Sequence, residues 1–425
     1  MSSISQESKL LKKRLQELEE KYKNELFSDD VKEQIEDKIR GDLKKDSEAR
    51  KLEEEKLEKK RLRLEEEMAK KKKKKSLLSR FKDKKTSEKG VKESGKVKSV
   101  KDNRPGAAEV RLAAENIQKL KKEMAKVLVG QEVIVDGLIM GLLCDAHVLV
   151  EGVPGIAKTL AIRALAASSG CSVKRIQFTV DMLPTDIIGI TTYTPNKGFE
   201  IIKGPIFANF VIADEINRAP PKTQSALMEG MQEKQVTIGR KQFSLPDPFF
   251  VMATENPIEN AGVYPLPEAQ VDRFLFKLLM GYPKEKEELL IMETNMTLKR
   301  FEEYDLKPVI TPKDIVKMQE IVKKVYLDEN IKKYIVEIVK KTRARDFEHA
   351  EFVSYGASPR ASIGIFIASK ARALMQGRNY VLPEDVKHVV YDVLRHRLIL
   401  SYKATVQKIS PDSIIKEILD IVKVE

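Results

Sequence analysis

Between His147 and Asn256 the chain carries four short apolar runs, HVLVEG, RIQFTV, NFVIADE and FFVMATEN, separated by stretches of helical pattern. Runs of this length, rich in Val, Ile and Phe and followed by loop residues, read as buried strands. Their apolar residues are nearly continuous rather than alternating, as a strand covered on both faces requires. Buried strands that alternate with helices pack as a parallel sheet flanked by helices, so the expected class is α/β. After Gly281-Tyr-Pro283 the apolar residues change to helical spacing, as in IVKKVYLDENIKKYIVEIVKKTRA and ASIGIFIASKARALM. The predicted division is an α/β core over residues 106–282 and a separate, mainly helical domain over 283–425.

The N-terminal quarter differs in kind. Residues 1–105 hold 34 Lys and Arg against 24 Asp and Glu, which is +10 of the chain's net +13. Long Glu, Lys and Leu runs favour helix but leave little to bury, so a charged helical extension is expected rather than a globular domain. Leu11, Leu15, Leu18 and Tyr22 follow coiled-coil spacing, although the register is not sustained through Leu52, Leu57, Leu62 and Leu64. Six consecutive lysines, Lys70 to Lys75, and the tract after them read as a self-repelling linker. The chain contains two cysteines, Cys144 and Cys171, too few for a disulfide framework, which fits a reducing compartment. The most apolar window, Val133 to Val150, is broken by Asp136, Asp145 and His147 and makes a poor membrane span. A cytoplasmic location is the expectation.

The stretch EGVPGIAKTL, Glu151 to Leu160, places a glycine-rich turn between a predicted strand and a predicted helix. It departs from the phosphate-loop pattern G-x-x-x-x-G-K-[ST] because Ala157 stands in place of the second glycine. A helix N-terminus offers unpaired N–H groups and a favourable dipole to an anion. The loop from Gly152 through Val153, Pro154, Gly155, Ala157, Lys158, Thr159 and Leu160 is thus a candidate phosphate cradle. Lys158 is placed to reach the β- and γ-phosphates, and the Thr159 hydroxyl to bind Mg²⁺. Ala157 falls where the helix begins, where φ is expected to be negative and a methyl is tolerated. The competing reading is a helix start with a surface lysine.

Further along, FVIADEIN sets Asp214 and Glu215 at the C-terminal end of a predicted strand, where open α/β sheets bind ligands. Asp214 suits anchoring of Mg²⁺, and Glu215 suits orienting and deprotonating a water. Asn256 ends the next strand, and its amide offers both a donor and an acceptor. Arg273 in LPEAQVDRFLF and Arg360 in YGASPRAS are candidates for neutralising charge on a transferred phosphoryl group.

The order GVPGIAKT, FVIADEINRAPPKTQSALMEGMQE, FFVMATENP, LPEAQVDRF and GASPRAS resembles the MoxR family of AAA+ ATPases over roughly residues 110–400. The resemblance includes QFTVDMLPTDIIGITTYTPNKGFEIIKGPIFANFVIADE, where the family carries an insertion in the helix after the second strand, as magnesium chelatase and MCM-type motors do. Ala before the lysine is common in that family's loop. The resemblance implies a P-loop AAA+ core and an all-α lid, with ATP and Mg²⁺ bound. It implies Walker A roles for Lys158 and Thr159, Walker B roles for Asp214 and Glu215, and sensor 1 for Asn256. Arg273 becomes the arginine finger given to a neighbouring protomer, and Arg360 sensor 2. Val129 and Gly130 fall near the adenine. A finger acting in trans implies a ring, usually a hexamer. Protein clients, and a partner with a von Willebrand factor A domain, are further implications. Residues 1–105 are outside the resemblance.

Other signals are sparse. His388 and His396 lack a carboxylate or thiol cluster, so no metal beyond nucleotide-bound Mg²⁺ is expected, and His147 reads as structural. Two rivals remain at this stage. One is a nucleotide-switched scaffold tethered to nucleic acid or membrane by the basic arm. The other is a DNA motor like MCM, though no DNA-binding module is recognisable.

Overall fold

The computed structural model describes residues 104–153, 158–195, 198–257, 263–294 and 301–424. The charged extension with its helical and coiled-coil expectation, and Pro154, Gly155 and Ala157 of the loop, lie outside the described residues. The φ expected for Ala157 falls there too.

Helices α1 (Ala107–Met124) and α2 (Glu132–Leu143) lead into β1 (Val148–Gly152) and α3 (Lys158–Ser168). Next come β2 (Val173–Gln177), the short α4 (Pro184–Ile188) and a hairpin of β3 (Gly189–Thr194) and β4 (Gly198–Lys203). The chain then forms β5 (Phe210–Asp214), α5 (Pro221–Glu233), a second hairpin of β6 (Gln235–Ile238) and β7 (Lys241–Ser244), and β8 (Phe250–Glu255). A single turn of helix, α6 (Glu268–Val271), precedes β9 (Phe276–Met280). Beyond them lie α7 (Glu285–Thr294), α8 (Pro312–Lys324), α9 (Glu329–Lys341), β10 (Val353–Tyr355) and α10 (Pro359–Met375). The described chain closes with α11 (Pro383–Leu394), β11 (Ile399–Leu400), α12 (Tyr402–Val406) and α13 (Pro411–Ile421).

The parallel sheet expected from the apolar runs is present, in the order β2-β5-β8-β1-β9. Its fifth strand, β9, was not among the four predicted runs. FKLLM begins at the last residue of the DRFLF segment and carries no turn signal of its own at its start. Alternate residues of each central strand feed two cores, which is why the runs had to be apolar throughout. Val148, Val150, Phe210, Ile212, Phe250 and Met252 pack with α1, α2 and α3 on one face. Leu149, Val211, Ala213, Val251 and Ala253 pack with Leu227 and Met228 of α5 on the other. Each large side chain buried in this way contributes about 2 kcal/mol.

The first of these cores does not end at the sheet. Ile315 and Met318 of α8, Ile365 and Ala368 of α10, and Val389 and Val390 of α11 belong to the same buried cluster. The C-terminal helices are a lid whose apolar faces are continuous with the sheet's own core. They carry one short ribbon, β10 paired with β11.

The segment between β2 and β5 holds α4 and the β3–β4 hairpin. Gly189 turns the chain into β3 at φ +104°, and a Cβ there would lie 2.2 Å from the Ile202 carbonyl oxygen. No other residue could make that turn without displacing the partner strand. At the far end, Tyr193 and Phe199 face each other across the ribbon with ring centroids 5.4 Å apart. Both are largely exposed, at 64% and 79%.

Candidate active site

The sheet order makes β5, β8 and β1 neighbours, so their C-terminal ends present adjacent residues. Lys158 opens α3, and its Nζ donates to two of those ends, the Gly152 carbonyl at 2.6 Å and the Glu255 carbonyl at 3.3 Å. Thr159 and Leu160 follow in the first helical turn, half-buried like Lys158. Val153 leaves β1, also half-buried.

Asp214 closes β5 and is buried, with 8% exposure. The fully buried Thr254 on β8 donates its hydroxyl to Asp214 Oδ1 at 2.6 Å. The same Thr254 oxygen accepts the Glu215 N–H at 2.9 Å. One hydroxyl therefore ties both acids to the neighbouring strand. Glu215 holds φ 56° and ψ 49°, the left-handed region. That conformation costs a non-glycine residue of order 1 kcal/mol and collects at functional sites. Its carboxylate accepts from Gln177 Nε2 at 2.8 Å and Arg218 Nε at 3.0 Å. Asn256, next after β8, is buried.

Three polar residues of this group escaped the sequence reading: Thr254, Arg175 and Gln177. Arg175 donates Nη2 and Nε to Asp214 Oδ2 at 2.6 and 3.0 Å, and also reaches Gln177. The register of β2 on β5 sets Gln177 beside Asp214. The available signal was a strand, VKRIQ, with exposed polar residues beside its one buried apolar side chain, Ile176. Glu255 is a fourth, its carboxyl pushed up by burial and by Glu151, against the lowering effect of Lys277.

The remaining predicted residues fall elsewhere. Arg273 follows Asp272, the C-cap of α6, and is half-buried. Arg360 lies in the first turn of α10 and donates to Asp272 Oδ2 at 3.3 Å. Two residues far apart in sequence thus meet through the neighbour of one of them. Val129 and Gly130 sit in the turn between α1 and α2. Gly130 has φ +71°, and a Cβ on it would come within 2.6 Å of the Glu287 side chain of α7.

His147 at the foot of β1 accepts the Val251 N–H through Nδ1 at 3.1 Å, and its Nε2 donates to the Met231 carbonyl at 3.0 Å. Burial holds its pKa down to about 4, so the ring is neutral and structural. Glu348, His349 and Glu417 bring three possible metal-ligating groups together among the described residues. The Glu417 oxygens already accept the Glu348 and His349 N–H groups, at 2.7 and 3.2 Å, so the carboxylate caps a short helix. No helix of the described residues is long and apolar enough to cross a membrane.

The chemistry of the gathered groups fits a magnesium nucleotide. Lys158 rests on neutral carbonyls, which an ammonium exchanges readily for an anion. The Asp214 carboxylate and Thr159 hydroxyl are the hard oxygen donors that Mg²⁺ prefers.

Known proteins resemble the chain in sequence and fold. Residues 147–276 match the ATPase family associated with various cellular activities (AAA), and residues 345–418 match the AAA lid domain. The chaperone MoxR1 of Mycobacterium tuberculosis is 46% identical over 326 residues, covering 75% of this chain and 85% of its own. The uncharacterized protein YeaC of Bacillus subtilis is 47% identical, covering 72% of this chain and 94% of its own. A crystal structure from Cytophaga hutchinsonii, of a protein assigned to the ATPases, superposes with a TM-score of 0.69 at 43% identity, over 75% of this chain and 97% of that one. With a sheet, a lid and acidic strand ends arranged as described, the chain belongs to the MoxR family of AAA+ ATPases.

Proposed function

We propose that the chain hydrolyses ATP to ADP and phosphate and uses the cycle, as a ring of copies, to remodel or mature protein clients. The observation that carries this reading is the convergence at three adjacent strand ends: Lys158 on β1 and β8, with Asp214 and Glu215 tied to β8 by Thr254.

In this reading the N–H groups opening α3 and the Lys158 ammonium bind the phosphates. Thr159 and Asp214 hold Mg²⁺, which when bound neutralises phosphate charge. Glu215 is the general base. It takes a proton from the water whose oxygen forms the new bond to the γ-phosphorus as the bond to the ADP oxygen breaks. Gln177 and Arg218 both hold its Oε2 in this structure, which fixes the carboxylate's orientation toward the water. Asn256 orients the water, and Arg360 meets the terminal phosphate. Arg273 does the same in a neighbouring copy, which makes the ring, of six copies by family habit, part of the active site.

Client handling is supported by the β3–β4 hairpin. Tyr193 and Phe199 are exposed on one face of the two-stranded ribbon and Ile190 and Ile202 on the other, apolar side chains suited to contact another polypeptide. A partner with a von Willebrand factor A domain belongs to the same proposal.

The test separates binding from turnover. Glu215→Gln should keep ATP affinity and lose at least about 100-fold in kcat, whereas Lys158→Ala should fail to bind. Full turnover by either variant refutes the roles given. In ATP, Glu215→Gln should also elute as a ring and retain its client, and elution as a monomer refutes the ring.

A further inference from the structure

Asp272 stands between two arginines of the lid that do different things. Its Oδ1 accepts Arg397 Nε at 2.7 Å. Its Oδ2 accepts Arg360 Nη1 at 3.3 Å and the hydroxyl of Ser358, the N-cap of α10, at 3.2 Å. Arg397 is 7% exposed and serves as a fixed joint. It also donates to the backbone carbonyls of Asp272 at 3.1 Å, Phe274 at 2.7 Å and Leu275 at 3.0 Å, and to Val393 of its own helix end. His396 adds a bond to the Phe274 carbonyl at 3.0 Å, and Arg395 one to Lys277 at 2.6 Å. The lid turn 395–397 is therefore bound to the backbone on both sides of Arg273. Arg360 is the loose member, its side chain 49% exposed and its bond to Asp272 the longest of the set.

We propose that Asp272 is a positioning residue that holds Arg360 aside until nucleotide competes it away, while Arg397 keeps Asp272 in place. The inference rests on the reading above that Arg360 meets the terminal phosphate. A nucleoside triphosphate carries more negative charge than Lys158 and Mg²⁺ together offset, whereas Asp272 is already offset by Arg397, so the phosphate wins the arginine. Asp272 remains neutralised by Arg397 when Arg360 leaves. The departure therefore strands no buried charge, and the exchange is reversible within each cycle. Because Arg397 binds the same carboxylate and the backbone on both sides of Arg273, the arginine's move is felt where the next protomer is to be contacted.

The experiment is a double-mutant cycle on the full chain, read as the dissociation constant of a fluorescent ATP analogue with Mg²⁺. Asp272→Asn keeps an oxygen for Arg397 and leaves the four carbonyl bonds of Arg397 in place. It should tighten nucleotide binding about threefold, the scale of a half-exposed ion pair. Asp272→Glu keeps the charge and should return the affinity to the wild-type value. In an Arg360→Ala background, which itself binds more weakly, Asp272→Asn should have no further effect. An equal change in both backgrounds, or no tightening, overturns the proposal and leaves the assignment of Arg360 standing. An unchanged affinity in Arg360→Ala alone overturns that assignment and the proposal with it.

Discussion

Asp214 and Asp272 invite comparison because each carboxylate is shared between a buried partner and a half-exposed arginine. For Asp214 the buried partner is the Thr254 hydroxyl and the exposed arginine is Arg175. For Asp272 they are Arg397 and Arg360. The difference is the charge of the buried partner. When Arg175 swings away, Asp214 retains only a neutral donor and carries an uncompensated charge in a buried place, which a metal cation can satisfy. When Arg360 swings away, Asp272 still has a guanidinium against it. The same residue type, held by similar distances, is thus suited to bind a metal in one region and to serve as a joint in the other.

The largest expected effect breaks the joint. Arg397→Met removes the buried counter-charge of Asp272 and the guanidinium donor to the Asp272, Phe274 and Leu275 carbonyls, and should destabilise the protein by about 3–5 kcal/mol in urea denaturation. Arg175→Met, half-exposed, should cost less than about 1 kcal/mol. Similar losses would mean that burial does not distinguish the two arginines. Next, Asp214→Asn should lower kcat about 100-fold and Asp272→Asn less than about 10-fold. Equal losses would erase the division between ligand and joint. A smaller effect follows at the metal. If Arg175 occupies the carboxylate that Mg²⁺ needs, Arg175→Ala should lower the half-saturating Mg²⁺ concentration of the ATPase about threefold, and a rise would assign Arg175 to the nucleotide instead.

The smallest effect concerns pH and the joint alone. His396 donates from Nε2 to the Phe274 carbonyl, and burial together with Arg397 holds its pKa well below the ordinary 6.5. The folded state therefore binds fewer protons than the unfolded chain. Stability is unaffected well above 6.5 and falls as pH drops through 6.5. Between pH 7 and pH 6 this site should account for about 0.7 kcal/mol of lost stability. His396→Gln keeps a donor for Phe274 and does not titrate. Its stability should fall by that much less over the same interval, and an identical slope would remove His396 from the linkage.

The residues that were legible in the sequence are those whose chemistry is written in local order. The runs ending in Gly152, Asp214 and Asn256 are apolar because both faces of their strands are buried, and each ends where the sheet ends. Lys158 and Thr159 follow from a strand, a turn and a helix in succession. The second layer left no such mark. Arg175 and Gln177 look like solvent-facing residues of an ordinary edge strand until the register of β2 on β5 brings them against the two acids. Thr254 is one hydroxyl in an apolar run, and nothing local says that it bridges Asp214 and Glu215.

The sequence by itself determined the α/β class, the helical lid and the identity of the acids and cations at the strand ends, because period and spacing act over a few residues. Only the tertiary structure decided which carboxylate keeps a buried counter-charge. Arg397 lies 125 residues from Asp272, and the pair exists because the lid's apolar faces continue the core of the sheet. Charge compensation depends on distance in space and on exclusion of water. Neither is a property of residues read in order.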